Sequence, residues 1–386
     1  MDFRLNEELV MLRKTVRDFA DREIVPVVES DEKAHRFQRE LVSRMGALGF
    51  LGCPIPEEYG GSGMGYLAHA IACEEVSRVS GSLRAAFNMQ TMGTSLLIVN
   101  FGTEEQKKKY VPGLVNADLL GCFAITEPNA GSDTAAMSTV AIKEGDFYRL
   151  NGTKTWISFA PVADVAIVFA YTDRSQKHRG LSAFIIEMKS PGISVRPLEE
   201  KMGWHCSPTG QIFFEDARIP KDSLLGEEGL GFKIMMSDLN NTRLSASSGA
   251  VGACQGLIDE SVKYSRQRIQ FGQEIGQFQM VQEMIARMVV ETEAARLLVY
   301  KCANQKDQGL VNNTLETSMA KYYSCDVASR VADLALQILG AYGYSSEYPV
   351  ERYLRDAKLY QILEGSANIH KMIIATDALG YRKANR

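Results

Sequence analysis

Gly121-Cys122-Phe123-Ala124-Ile125-Thr126-Glu127-Pro128-Asn129-Ala130-Gly131-Ser132-Asp133 is the stretch at which this chain changes character. Its first six residues form a short apolar run ending in a hydroxyl, which reads as a strand. Pro128 and Gly131 then force a turn that leaves backbone N–H groups free. Such a turn can hold the polar edge of a planar ligand or a phosphate-bearing tail, or it can be a plain connection.

Upstream the pattern is helical. Asn6 followed by Glu7 and Glu8 reads as an N-cap with acids in the first turn. Leu9, Leu12, Val16 and Phe19 keep helical spacing, and Pro26 is expected to stop that helix. A second helix is expected over 40–51, a turn-rich loop over 54–63, and further helices over 68–79, 83–101 and 104–114. Downstream, β-rich runs are expected at 121–126, 147–150, 165–171, 181–187, 193–197 and 211–214, with turns at Glu144-Gly145-Asp146 and Asn151-Gly152. After Gly229-Leu230-Gly231 helical spacing returns, with long amphipathic helices over 280–300 and 320–339 that suit a four-helix bundle. The expected class is α+β: an N-terminal all-helical domain (1–120), a middle antiparallel β domain (121–232) and a C-terminal four-helix bundle domain (233–386).

Composition narrows the function. A chain of 386 residues with 45% hydrophobic and 23% charged residues is ordinary for a soluble protein with ample cores. A net charge of -4 gives no reason to expect a nucleic-acid partner, and Lys107-Lys108-Lys109 reads as a solvated helix face. The seven cysteines form no CxxC and the five histidines never pair at ligand spacing, so free thiols and no metal are expected. The start at Met1 has no targeting character and no apolar run is long enough to insert stably in a bilayer, so the expected location is cytoplasmic.

Four further stretches carry chemistry. Lys154-Thr155-Trp156-Ile157-Ser158 puts an aromatic and a hydroxyl on a strand, where Trp156 fits a core or covers one face of a ring. The Gly-broken segment Arg266 to Gln279 joins two helices, where an Arg and free backbone could hold a pyrophosphate. Gln337-Ile338-Leu339-Gly340-Ala341-Tyr342-Gly343-Tyr344 is a helix end dissolving into small residues that permit close backbone approach. Neither is a Rossmann or P-loop fingerprint. Finally, Tyr360-Gln361-Ile362-Leu363-Glu364-Gly365-Ser366-Ala367-Asn368-Ile369 sets one carboxylate in an apolar run before a helix start. Glu364 there reads as a poorly solvated proton acceptor or as a surface acid at a helix N-terminus.

Taken together, these segments resemble the acyl-CoA dehydrogenase family over nearly the whole chain. Residues 124–136, and those from Gln337 through Arg352 to Asp356, match its two signatures in order and spacing; Ala341 stands where a second Gly is usual. The resemblance implies FAD, bound between the β domain and the bundle, in a homotetramer whose subunits share the cofactor site. It assigns Phe123, Ile125, Thr126, Trp156 and Ser158 to the flavin ring. Arg268, Gln270, Phe271 and Gln279 correspond to pyrophosphate and adenosine contacts, while Gln337, Leu339, Gly340 and Gly343 would reach the adenosine end from a neighbouring subunit. Ser366 and Asn368 correspond to FAD contacts at that boundary, and Ser132 and Arg243 to pantetheine and CoA-phosphate contacts. Glu364 falls on the usual catalytic base, its backbone and that of Gly365 lying beside the thioester. Some members carry the base immediately before the arginine matched by Arg243; Thr242 stands there and cannot act as one. The implied reaction takes an α-proton to Glu364 and a β-hydride to the flavin, with electrons passing to an electron-transfer flavoprotein.

For the acyl group, Arg84 in Ser80-Gly81-Ser82-Leu83-Arg84-Ala85 resembles the arginine with which glutaryl-CoA dehydrogenases pair a distal carboxylate. Its alternative is a surface Arg on a helix. Decarboxylating members tend to carry Tyr before the catalytic Glu and Glu seven residues before the Arg. Here Leu363 and Ser77 occupy those positions, so a non-decarboxylating enzyme is expected. A dehydrogenase of cyclic, benzylated or short or branched acyl-CoAs is the main alternative. An acyl-CoA oxidase or a non-catalytic CoA-binding protein fits less well, the latter because Glu364 and the flavin motifs are kept.

Overall fold

A computed structural model of the chain describes residues 4–310 and 313–381; the Met1–Phe3 start, expected to carry no targeting signal, lies outside the described residues. Seven α-helices come first: α1 (Glu7–Phe19), α2 (Val25–Ala34), α3 (Arg39–Ala47), α4 (Gly65–Ser77), α5 (Gly81–Ala86), α6 (Leu96–Phe101) and α7 (Glu104–Val115). Asn6 caps α1, its side chain accepting from the Leu9 N–H at 2.9 Å. Pro26 does not stop the chain: a π-helical turn over Ala20–Ile24 leads into α2, with Pro26 in its first turn. The chain is helical on both sides of Pro26, and the donor it lacks falls where the helix has widened into the π-helical turn. Gly49, at φ +78°, ends α3 earlier than its apolar spacing suggests. Thr103 and Gln106 form a capping box at α7.

The middle of the chain forms strands β1 (Gly121–Ala124), β2 (Val140–Glu144), β3 (Phe147–Ser158), β4 (Val165–Tyr171), β5 (Leu181–Glu187), β6 (Ile193–Pro197), β7 (Thr209–Pro220) and β8 (Leu224–Leu225). They make one sheet in the order β6-β7-β3-β2-β4-β5-β8, with β1 paired to β4. Most pairs are antiparallel, but β1 runs parallel to β4. Asn151-Gly152 is not a hairpin turn. It lies inside β3, where the register against β7 shifts, and a Cβ on Gly152 would come within 2.4 Å of the Thr139 hydroxyl. The glycine therefore serves close strand approach rather than reversal.

The C-terminal part is α8 (Gly231–Gln267), a β9–β10 hairpin (Ile269–Gln270, Gln273–Glu274), α9 (Gln279–Asp307), α10 (Thr314–Leu339), α11 (Val350–Tyr360) and α12 (Ala367–Ala378). α8, α9 and α10 pack as the core of a bundle, and α8 also packs along α4 and the π-helical stretch Phe87–Ser95. That contact carries the site. No helix among the described residues is long and apolar enough to cross a membrane.

Candidate active site

Glu364 lies in the bend between α11 and α12, at φ +56°, and Gly365 follows at φ +90°. Two consecutive residues of positive φ are costly for any side chain on the first, so surrounding bonds must hold the bend. Lys321 donates to the Tyr360 carbonyl at 2.6 Å, the Ala367 N–H to the Gln361 carbonyl at 3.0 Å, and Arg243 Nε to the Glu364 carbonyl at 3.1 Å. A Cβ on Gly365 would come within 3.3 Å of Arg243 Nη2. The bend thus presents the Glu364 carboxylate toward α8 and the π-helical stretch.

Each of its oxygens receives one donor. Thr242 Oγ1 donates to Oε2 at 2.6 Å, and Asn88 Nδ2 donates to Oε1 at 2.8 Å. Both donors are buried. Charge-assisted bonds of this kind fix a carboxylate as an acceptor. One turn before Thr242, Asp238 is fully buried and neither of its carboxyl oxygens has a hydrogen-bond partner. Burial, and then the Glu364 charge, push its pKa well above the usual carboxylate range. Burial pulls the Arg243 pKa down while Glu364 and Asp238 oppose it.

Arg84 is not a surface residue. Capped by Ser80, α5 buries it to 1% exposure, with Nη1 donating to Asn88 Oδ1 at 3.0 Å. Its guanidinium stacks 4.7 Å from the Trp204 ring and 5.4 Å from the Tyr360 ring, and Nε is buried without a partner. Among the described residues no carboxylate pairs with it. Trp204 is itself fixed through its backbone N–H, which donates to Asp356 Oδ1 at 2.7 Å. Ser77 lies in the same wall, donating to the Gly249 carbonyl at 2.7 Å and lying 2.8 Å from the Tyr360 hydroxyl.

The strand motifs form a second group. Gln90 fixes the start of β1 by accepting from the Gly121 N–H at 2.7 Å, and the Phe123 ring packs against Gly93. The Thr155 N–H donates to the Thr126 carbonyl at 2.9 Å, bringing Phe123, Ile125 and Thr126 beside Trp156 and Ser158. Below them Lys154 pairs with Glu127 at 2.8 Å, both buried, and Glu127 also accepts from Ser138 and Thr139. This anchors the 128–133 turn, on which Ser132 is exposed. Trp156 is not core: it is 61% exposed, at φ +59°, on a cleft of about 600 Å³ with Arg196, Leu198 and Gln211.

A third group lies at the end of the bundle. The Arg268 guanidinium is 5.4 Å from the Tyr342 ring, which joins the Arg268, Gln270, Phe271 and Gln279 segment to Gln337, Leu339, Gly340 and Gly343 within one chain. Phe271 is 95% exposed, and Gln270, Gln279, Gln337 and Gly340 are exposed too, whereas Leu339 and Gly343 are buried. Among the described residues no hydrogen bond, ion pair or ring contact joins this corner to Trp156 or Glu364. Ser366 occupies the N-cap position of α12, one residue past Gly365, without a side-chain capping bond, and Asn368 is exposed in its first turn.

Asn88 and Asp238 were not singled out by sequence reasoning. Each stands four residues from a residue that was, Asn88 after Arg84 and Asp238 before Thr242. On a helix that interval means the same face, which is the only signal the sequence offers.

Three family descriptions match the chain: "Acyl-CoA dehydrogenase, N-terminal domain" over residues 6–118, "Acyl-CoA dehydrogenase, middle domain" over 122–217 and "Acyl-CoA dehydrogenase, C-terminal domain" over 229–379. A "Glutaryl-CoA dehydrogenase" of Desulfococcus multivorans is 53% identical over 390 residues, covering 100% of both chains. A solved glutaryl-coenzyme A dehydrogenase in complex with glutaryl-CoA is 53% identical, with a TM-score of 0.98 over 100% of this chain and 98% of that one. A chain of the structure described as "Electron transferring flavoprotein of Acidaminococcus fermentans" is 42% identical, with a TM-score of 0.96 over 99% and 100% of the two chains.

Proposed function

Because the chain belongs to the acyl-CoA dehydrogenase family, an FAD-dependent group of oxidoreductases acting on CH–CH bonds, we propose that it converts glutaryl-CoA, or a closely related dicarboxylic acyl-CoA, to the α,β-unsaturated thioester. The observation that carries the substrate is Arg84. A buried guanidinium with aromatic faces on two sides, an amide on one nitrogen and no carboxylate partner is a charge held ready for an anion. An acyl tail ending in a carboxylate supplies that anion.

The residues at hand fit FAD. Two large rings, Trp156 and Phe271, stand in solvent beside polar groups, which in this reading are covered by the flavin ring and the adenosine end. When bound, FAD supplies the two-electron acceptor for the β-carbon hydrogen. Phe123, Ile125, Thr126, Trp156 and Ser158 hold its ring; Arg268, Gln270, Phe271, Gln279, Gln337, Leu339, Gly340, Gly343, Ser366 and Asn368 hold the remainder. Arg243 and Ser132 bind the CoA portion. Glu364 takes the α-proton onto its carboxylate while the Glu364–Gly365 backbone faces the thioester oxygen.

The separation of the Arg268–Tyr342 corner from Trp156 within one chain supports a homotetramer in which a neighbouring copy completes the cofactor site. We further propose three domains over 1–120, 121–232 and 233–386, electrons passing to an electron-transfer flavoprotein, and a cytoplasmic location. Since Ser77 and Leu363 provide neither the acid nor the phenol expected in decarboxylating relatives, the product retains its carboxylate. Incubating the yellow, FAD-loaded protein with glutaryl-, butyryl- and cyclic acyl-CoAs, and weighing the products, tests this. Glutaconyl-CoA is expected; crotonyl-CoA with CO2, or no turnover of glutaryl-CoA, overturns the reading. Light scattering that finds a stable FAD-containing monomer overturns the tetramer.

A further inference from the structure

We propose that Asn88 is a positioning residue that couples recognition of the substrate's distal carboxylate at Arg84 to the readiness of the base Glu364; this rests on the glutaryl-type reading above. The amide is buried between the two, with Oδ1 accepting from Arg84 Nη1 at 3.0 Å and Nδ2 donating to Glu364 Oε1 at 2.8 Å. Its orientation is not free. A guanidinium has only donors, so the amide oxygen must face Arg84, and the NH2 group must then face Glu364. The positive charge of Arg84 therefore reaches the base through one polarised amide.

The local backbone builds this bridge. Asn88 follows Arg84 by four residues, at the point where α5 widens into the π-helical stretch Phe87–Ser95. π-helical turns alter the side-chain register and recur at functional sites. The other oxygen of Glu364 is held independently by Thr242 at 2.6 Å. One grip on the base thus senses Arg84 and the other does not.

The consequence follows from charge. With no anion beside Arg84, its full charge strengthens the Asn88 donor and holds the Glu364 carboxylate in place. A carboxylate arriving at the unpartnered Nε side of the guanidinium neutralises that charge and weakens the hold. The base is then released toward the substrate's α-carbon. A substrate with the distal carboxylate should accordingly be favoured in the limiting rate of proton abstraction, beyond any gain in affinity. An uncharged acyl chain leaves the base held.

The test is stopped-flow reduction of the FAD-loaded enzyme by glutaryl-CoA and butyryl-CoA, giving a limiting rate and a Kd for each. In Asn88→Leu the ratio of limiting rates, glutaryl over butyryl, should fall by about tenfold while the ratio of Kd values stays within about threefold. Asn88→Asp keeps an acceptor for Arg84 but puts a carboxylate beside both it and Glu364, so the rate ratio should fall and the Kd ratio should rise. Equal changes for both substrates in Asn88→Leu, or a changed Kd ratio with an unchanged rate ratio, overturn the coupling. If the Leu variant does not retain FAD, the Asp variant decides alone, and an unchanged rate ratio there overturns it. Arg84→Met should abolish both preferences. If it does and the Asn88 variants alter neither ratio, only the coupling fails; if it alters neither, the glutaryl-type reading fails and takes the coupling with it.

Discussion

The hydroxyl of Thr242, on α8, donates to Oε2 of Glu364, in the α11–α12 bend, across 2.6 Å. The position at which some family members carry the base here supports Glu364, the base of the proposed reaction. Glu364→Gln should therefore fold and bind normally. The new amide can accept from Asn88 at one end and donate to the Thr242 oxygen at the other, since a hydroxyl does both. It cannot accept the α-proton. FAD content and acyl-CoA affinity should stay near wild type while flavin reduction slows by about 100- to 10,000-fold. Reduction at a near wild-type rate would put the base elsewhere.

Asp238 should make stability fall as pH rises. Its folded pKa is raised above the unfolded value of about 3.9, by burial and then by Glu364, with Arg243 opposing. Below about pH 4 the group is protonated in both states and contributes nothing. Above that, the unfolded chain ionises it and the folded chain does not, so folding loses free energy until the folded value is passed. Asp238→Asn removes that slope. Its Tm should match wild type near pH 4 and exceed it by at least about 2 °C at pH 7. Parallel Tm–pH curves for the two proteins would show that Asp238 is not held neutral.

How legible such groups were depends on whether their chemistry is local. Glu364, Trp156 and Arg84 stand out because each sits oddly in its own neighbourhood: an acid in an apolar run, an indole beside a hydroxyl, a guanidinium in a small-residue helix. Even so, the exposure of Trp156 and the burial of Arg84 are properties of what packs nearby, and the sequence left both open. Asn88 and Asp238 are ordinary helix residues whose role is set by a bend some 120 to 280 residues downstream. The strand errors have the same origin. Asn-Gly is a good hairpin signal, but Gly152 answers to Thr139, the residue just before the adjacent strand β2, which local turn chemistry cannot reveal.

The buried Lys154–Glu127 pair, at 2.8 Å, should be strongly asymmetric to mutation. Glu127→Gln leaves the ammonium uncompensated in the sheet, at a cost of about 3–5 kcal/mol. Adding Lys154→Met should restore most of that loss, read by thermal unfolding. Burial disfavours the ionised Glu127, but Lys154 and the Thr139 and Ser138 donors outweigh it and hold its pKa at about 2, down from 4.5. A depressed folded value gives stability that is present above about pH 4.5 and is lost as pH falls toward 2. Glu127→Gln should show a flatter acid limb; an unchanged limb would mean that the pair contributes little.

On the proposed reading, Arg84 selects the acyl group. A carboxylate at the closed end of an acyl pocket costs several kcal/mol unless a cation meets it, and Arg84 is a buried cation with its Nε unpartnered. Replacing it with Met keeps the length and the contact with Trp204 and Tyr360 but removes the charge. For glutaryl-CoA, KM should rise by about 100-fold or more, the scale expected for losing a charge-assisted pair at a buried site. Butyryl-CoA should be spared or improved, because its methyl end no longer faces a desolvated guanidinium. Steady-state assays on both substrates, beside measured FAD content, separate a specificity effect from a folding effect. An equal loss on both would make Arg84 a structural residue held by its aromatic neighbours, and the acyl group would then be an uncharged one.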